Sequence, residues 1–195
     1  VDYVLEVDQV PVAVVEAKRA YRSASDGLQQ AVRYAQQLDV PLAYSTNGAE
    51  IIERDMVSGH ERRVDGFATP PEAWSSFVRL HDLDPGGADL QARGFNRQQR
   101  LASGDVQEPR WYQAVAIRRV LTEIARGERR VLLLMATGTG KTFTAMQIVH
   151  LVREHARVVT PERNYRVLYL ADRDALVADP MDKTFRVAFG GEPLF

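Results

Sequence analysis

The chain has 195 residues, 45% of them hydrophobic and 26% charged, with a formal net charge of -1. That length suits one large or two small domains, and the balance is that of a globular protein rather than a disordered one. The absence of cysteine excludes disulfide frameworks, Cys-ligated zinc and thiol nucleophiles, and fits a reducing, cytoplasmic setting. No apolar run approaches the ~20 residues needed to span a bilayer, so no membrane is expected as a partner.

The opening VDYVLEV, residues 1–7, carries β-branched and aromatic residues in loose alternation, and DQ at 8–9 reads as a turn. Residues 10–17, VPVAVVEA, then predict a second strand, and the two a hairpin. Leu28, Val32, Ala35 and Leu38 recur at helical spacing, predicting a helix over 24–38 with Ser25 as its N-cap. PLAYS at 41–45 predicts a strand, TNG at 46–48 a turn, AEIIER at 49–54 a further strand and residues 71–80 an amphipathic helix.

Residues 82–109 are polar and rich in Gly, Asp, Gln and Arg, with no apolar period beyond a short helix near Asp89 to Arg93. They read as a linker between a first module at 1–81 and a second at 110–195. The second begins with a helix over 111–126. A hydrophobic strand at 130–135, a glycine-rich loop, a helix from Lys141 to about Glu154, a strand at 166–171 and a helix opening near 173–179 follow. Strand, helix, strand, helix predicts a parallel sheet with helices packed upon it. Opening on Val1 within an expected strand and stopping at GGEPLF, the chain reads as a piece of a longer protein.

MATGTGKT at 135–142 is the sharpest chemical signal. Gly138 and Gly140 let backbone turn around an anion, and loop N–H groups with a helix N-terminus then face phosphate, engaging Thr137, Gly138, Thr139 and Gly140. Lys141 is placed for the β- and γ-phosphates of ATP and the Thr142 hydroxyl for Mg2+. Met135 stands where the usual pattern has Gly or Ala. Gln113 in RWYQ, at a helix start about two dozen residues earlier, carries the donor and acceptor edges that read an adenine. Its placement resembles the Q motif of superfamily-two helicases and translocases. VLYLADRDALVADP at 167–180, a strand ending in Asp172 and Arg173, resembles motif Ia of that superfamily.

A second signal lies in the amino-terminal hairpin. Metal-dependent phosphodiester cleavage needs hard oxygen ligands beside a cation. Asp2 falls on one strand; Glu16 and Lys18, two apart on the next, share a face, with Ala17 expected to point into the core. This fits the D…(D/E)-x-K pattern of the restriction-endonuclease-like fold, although three such residues alone also describe a solvated strand end. Gln30 and Tyr34, four apart on the following helix, share a face as well.

VDYVL, VAVVEAKRA, QAVRY, YSTNGAEI, PRWYQAVAI, MATGTGKT and LYLADRDALV occur in that order over nearly the whole chain. Together they resemble the restriction and translocation subunit of Type I restriction-modification enzymes, a family in which Met often occupies the position of Met135. The resemblance implies a mixed-sheet PD-(D/E)xK nuclease domain followed by the start of a RecA-like motor domain. It implies ATP-dependent translocation on double-stranded DNA coupled to cleavage, with ATP and Mg2+ as cofactors and methyltransferase and specificity subunits as partners. By the same resemblance Asp2 and Glu16 bind Mg2+, Lys18 assists at the phosphate, Gln30 and Tyr34 serve cleavage, and Gln113 reads adenine. No Walker B sequence occurs, and such a piece is expected to be inefficient alone. Two other readings stay open: a helicase-like repair or remodelling protein with a non-catalytic amino-terminal domain, and an ATP-binding module that is not a motor.

Overall fold

The structure, a computed structural model, describes residues 1–162, 165–171 and 174–190. It divides into two compact units, Val1–Ala88 and Asp89–Phe195.

The first unit is built on one five-stranded mixed sheet. β1 (Tyr3–Val7) and β2 (Val10–Ala17) form the expected hairpin, turning through Asp8 and Gln9, both at positive φ. Two successive left-handed residues match the twist of the flanking strands. β2 contains Pro11, which offers no N–H to a ladder. The pairing accommodates it with a shift of register between Leu5 and Glu6, where Val12 is left without a partner. β3 (Leu42–Thr46) runs parallel to β2; β4 (Ile51–Asp55) and β5 (Glu61–Val64) extend the sheet antiparallel, in the order β1-β2-β3-β4-β5.

The parallel step needs a crossover, and α1 (Leu28–Leu38) supplies it. Ala31 and Ala35 of α1 pack on Val14, Val40 and Ala43 on one face of the sheet. On the other face, Val15, Leu42 and Tyr44 pack against Ala73 and Phe77 of α2 (Pro70–His81). Both faces are therefore covered, which explains why β2 reads as a continuous apolar run rather than an alternating one. α2 starts with Pro70 behind Thr69, whose N–H and hydroxyl both donate to Glu72. α1 is preceded by a 3-10 turn, Ala24–Gly27, capped by Ser23 rather than by the expected Ser25: the Ser23 hydroxyl accepts the Ser25 N–H. α3 (Pro85–Ala92) follows.

In the second unit, α4 (Trp111–Ala125) and α5 (Lys141–Val159) carry most of the described core. Ile117, Leu121 and Leu151 enclose Leu90 and Phe95 from the segment that composition reads as a linker. Three of that segment's polar residues, Gln91, Asn96 and Gln99, are buried and hydrogen-bonded. The Asn96 N–H donates to Gln147 Oε1 at 2.8 Å, and Gln147 Nε2 returns a bond to the Asn96 carbonyl at 3.0 Å. Gln91 Nε2 donates to the Arg118 carbonyl and to Thr122 Oγ1. Residues α6 (Ala175–Pro180), a π-type turn at Met181–Phe185 and α7 (Arg186–Phe189) run on as helix, and Phe185 and Ala188 pack on Phe143 and Met146.

Two expectations are corrected. Residues 130–135 and 166–171 are not strands: neither segment joins a ladder, and Leu132, Leu134, Leu168 and Leu170 are exposed. A strand exists only where a neighbour takes its N–H and C=O groups, and none among the described residues does so here. The parallel sheet expected of this unit is accordingly absent among the described residues. β5, conversely, was not legible: ERRV has no alternation, and it pairs as a charged edge strand.

Candidate functional site

Glu16 sits at the end of β2 on the face covered by α1, between the exposed β1 edge and β3. Its side chain is 5% exposed, and Lys18 Nζ lies 3.0 Å from its Oε1. The same ammonium donates to Gln30 Oε1 at 3.3 Å, so the first turn of α1 holds Lys18 from one side and Glu16 from the other. The sheet ladder continues past β2 through a 2.7 Å bond from the Lys18 N–H to the Thr46 carbonyl, which fixes the backbone where the lysine leaves.

Asp2 approaches from the neighbouring strand. The β1–β2 pairing matches Tyr3 with Val15 and Val4 with Val14; carried one residue further, it sets Asp2 against Glu16. Asp2 Oδ2 accepts the Ala17 N–H at 2.7 Å. Ala17 itself is exposed, not in the core as expected, because it lies at the strand end where no helix covers that face. Tyr34 does not meet this group: it is half-buried against the cluster formed by Val14, Ala31 and Ala35. The sequence pair Gln30/Tyr34 thus divides, the first reaching the lysine and the second packing the helix to the sheet.

The residues present fit a hard divalent cation. Glu16 Oε2 is buried, accepts no hydrogen bond and lies 3.9 Å from the Val1 amine. Asp2 retains an oxygen beyond the one bonded to Ala17. Among the described residues no group of three or more His, Cys, Asp or Glu gathers, and two carboxylates completed by water and phosphate oxygens suit Mg2+ better than a full protein cage. Ser45, which the sequence offered only as the end of a strand, is the partner of Glu16 in the β2–β3 register and also belongs to this place. The available signal was a lone hydroxyl closing the otherwise apolar run PLAY.

The glycine-rich loop forms a second constellation in the other unit. Gly138 and Gly140 have φ of 78° and 82°, the left-handed region that glycine enters without strain. Gly140 caps α5. Lys141 Nζ turns back over the loop toward the carbonyls of Met135 (3.4 Å) and Ala136 (3.2 Å), and Thr139 Oγ1 donates to the Ala136 carbonyl at 2.6 Å. Thr137 is exposed and Thr142 half-buried on the first turn of α5. Gln113 reaches this loop from α4: its Nε2 donates to the Thr139 carbonyl at 2.8 Å, and its Oε1 accepts the Arg110 N–H at 2.9 Å. Both amide edges expected to face an adenine are so engaged with protein. Asp172 and Arg173, the strand end likened to motif Ia, lie outside the described residues. No helix among the described residues is long and apolar enough to cross a membrane.

Residues 107–192 match the family described as "Type III restriction enzyme, res subunit". The EcoAI endonuclease subunit of a Type I restriction enzyme from Escherichia coli is 36% identical over 183 residues, covering 91% of this chain and 21% of that protein. The EcoKI endonuclease subunit from Escherichia coli K12 is 28% identical over 223 residues, covering 90% and 18%. A solved fragment assigned as an HsdR subunit of a Type I restriction enzyme from Vibrio vulnificus superposes with a TM-score of 0.71 at 35% identity, covering 88% of this chain and 32% of that one. The chain therefore spans about a fifth of the length of the curated relatives it matches.

Proposed function

We propose, for a chain homologous along about nine-tenths of its length to Type I restriction endonuclease subunits, that it forms part of an ATP-driven DNA translocase and Mg2+-dependent endonuclease. The observation that carries the reading is the meeting of Glu16, Lys18 and Gln30 beneath α1, on the same chain as a glycine-rich loop anchored by Gln113. In this assignment residues 1–81 are nuclease, of the PD-(D/E)xK kind, and 110–195 begin a RecA-like motor domain, joined by 82–109, whose Leu90 and Phe95 pack into the second unit.

Asp2 and Glu16 would hold Mg2+, which would supply Lewis-acid polarisation of the scissile phosphate when bound. Lys18 neutralises charge on the phosphate, and Gln30 keeps its ammonium pointed there while Tyr34 fixes the helix. At the loop, Thr137, Gly138, Thr139 and Gly140 present backbone to ATP phosphates, with Lys141 and Thr142 placed for the terminal phosphates and their Mg2+. Gln113 exchanges its protein partners for the adenine. Double-stranded DNA, a methyltransferase subunit and a specificity subunit complete the working complex in the cytoplasm.

The test uses the full-length protein assembled with its partners. Glu16→Ala and Lys18→Ala are expected to abolish DNA cleavage and leave DNA-stimulated ATP hydrolysis intact. Undiminished cleavage in both variants would discard the nuclease assignment and favour a helicase-like protein with a non-catalytic amino-terminal domain.

A further inference from the structure

Ser45 is completely buried, yet its hydroxyl has no hydrogen-bond partner among the described residues. A buried hydroxyl in that state carries a desolvation cost with nothing to offset it. Its surroundings are not apolar. Ser45 pairs with Glu16 across β2 and β3, and Glu16 Oε2 is likewise buried without a hydrogen bond, its charged neighbour being the Val1 amine at 3.9 Å. One is a potential donor and the other purely an acceptor, so the two are chemically complementary.

Gly27 reports how tightly the group is drawn together. A Cβ built on it would collide with Ser45 Oγ and would lie 2.8 Å from Lys18 Cε and 3.1 Å from Glu16 Cγ. Gly27 is at φ -94°, a conformation open to any residue, so it is the space, not the backbone, that excludes a side chain. Three polar side chains, from β2, the residue that follows it and β3, thus crowd one point that only a glycine at the start of α1 leaves free.

We propose that Ser45 is a positioning residue of the nuclease centre: its hydroxyl donates to Glu16 Oε2, directly or through one water, and sets the carboxylate for the divalent cation. Lys18 already bonds Oε1, so a second bond to Oε2 fixes the plane of the carboxylate. The proposal rests on the nuclease reading above.

The experiment measures Mn2+ binding to nucleotide-free full-length protein by calorimetry, with Glu16→Ala defining the share of binding that belongs to this site. Ser45→Ala is expected to weaken that share three- to tenfold and to raise the Mg2+ concentration for half-maximal cleavage equally. Melting of the metal-free protein should be unchanged or higher, because the substitution removes an unpartnered group. Should Ser45→Ala melt lower, Ser45→Thr decides: it keeps the hydroxyl, so retained affinity supports the proposal and lost affinity overturns it. Unchanged Mn2+ affinity in Ser45→Ala alongside its loss in Glu16→Ala overturns the role of Ser45 and leaves the nuclease reading standing. No loss of Mn2+ binding in Glu16→Ala overturns both.

Discussion

Gln113 joins two elements at once: its amide donates to the Thr139 carbonyl in the glycine-rich loop and accepts the Arg110 N–H at the start of α4. At 5% exposure it has little access to water. A Cβ on Gly140 would collide with its Nε2, so the loop glycine and the glutamine are matched in shape. The glutamine therefore restrains the loop, and in the proposed motor an adenine that took over the amide would release that restraint.

Gln113→Glu separates these roles. The carboxylate still accepts the Arg110 N–H but meets the Thr139 carbonyl acceptor to acceptor. The KM for ATP in full-length protein is expected to rise roughly tenfold, the equivalent of about 1.4 kcal/mol, with α4 intact. Gln113→Ala should show the same KM effect and lose a further ~1 kcal/mol of stability with the helix cap. Urea melts and ATPase titrations on both variants check this, and an unchanged KM for Glu would reduce Gln113 to a helix cap.

Gln30 touches the proposed nuclease centre through another residue. Its Oε1 is the second anchor of the Lys18 ammonium, the first being Glu16. Gln30→Ala leaves a lysine with one restraint and several free rotors, a side chain that carries up to ~2 kcal/mol of rotamer entropy. DNA cleavage is expected to drop about tenfold, with ATP hydrolysis unchanged. Gln30→Glu, which keeps an acceptor for the ammonium, should recover most of the rate; equal losses in the two variants would argue against a positioning role.

What could be read from the residues alone follows the range of the forces involved. The β1–β2 hairpin, α1, α2 and the loop before α5 rest on local signals: a two-residue turn, helical apolar spacing, Thr69 with Glu72, two glycines. The Glu16–Lys18 pairing is local too. Ser45 was not legible, because what makes it part of the site is the register of β3 against β2, set by a crossover of two dozen residues. The segment at 89–99 reads as solvated linker because Gln91, Asn96 and Gln99 are polar; they are buried nonetheless, each donating a hydrogen bond to a partner far away in sequence. The apolar runs at 130–135 and 166–171 carry strand propensity, but propensity without a partner strand makes no ladder.

Tyr44 offers a stability test independent of the site. It lies on the α2 face of β3, where the alternation of the strand turns it away from Ser45. Its hydroxyl donates to Glu53 Oε2 at 2.8 Å and accepts the Ala68 N–H at 3.1 Å. Burial pushes the phenol far above its ordinary range, so it remains neutral. Tyr44→Phe strands a backbone N–H and strips a buried carboxylate of a donor, for which about 1–3 kcal/mol of destabilisation is expected. The urea midpoint should fall with the slope unchanged and DNA cleavage at saturating Mg2+ should match the parent; a cleavage defect would couple the two faces of the sheet.

Mild acid is expected to destabilise the second unit through His150. It sits half-buried on α5, its Nδ1 3.4 Å from Asn96 Nδ2, with Glu154, Arg157 and Arg153 around it. Burial lowers its pKa below the ordinary 6.5; Glu154 opposes the shift, and the two arginines assist it. A base with a depressed folded pKa is protonated more readily in the unfolded chain, so stability rises with pH across the gap between the two values. The contribution is whole above about 6.5 and is lost as pH falls toward the depressed folded value. Asp89, whose carboxyl is held low chiefly by Arg93, with burial opposing and His155 assisting, loses its contribution only in stronger acid, as pH falls through and below the usual carboxylate range. Unfolding midpoints of the chain should therefore decline between pH 7.5 and 5.5, and His150→Gln should flatten that decline while leaving the steeper loss near pH 3 in place. A slope that persists unchanged in the variant would assign the mild-acid sensitivity to another group.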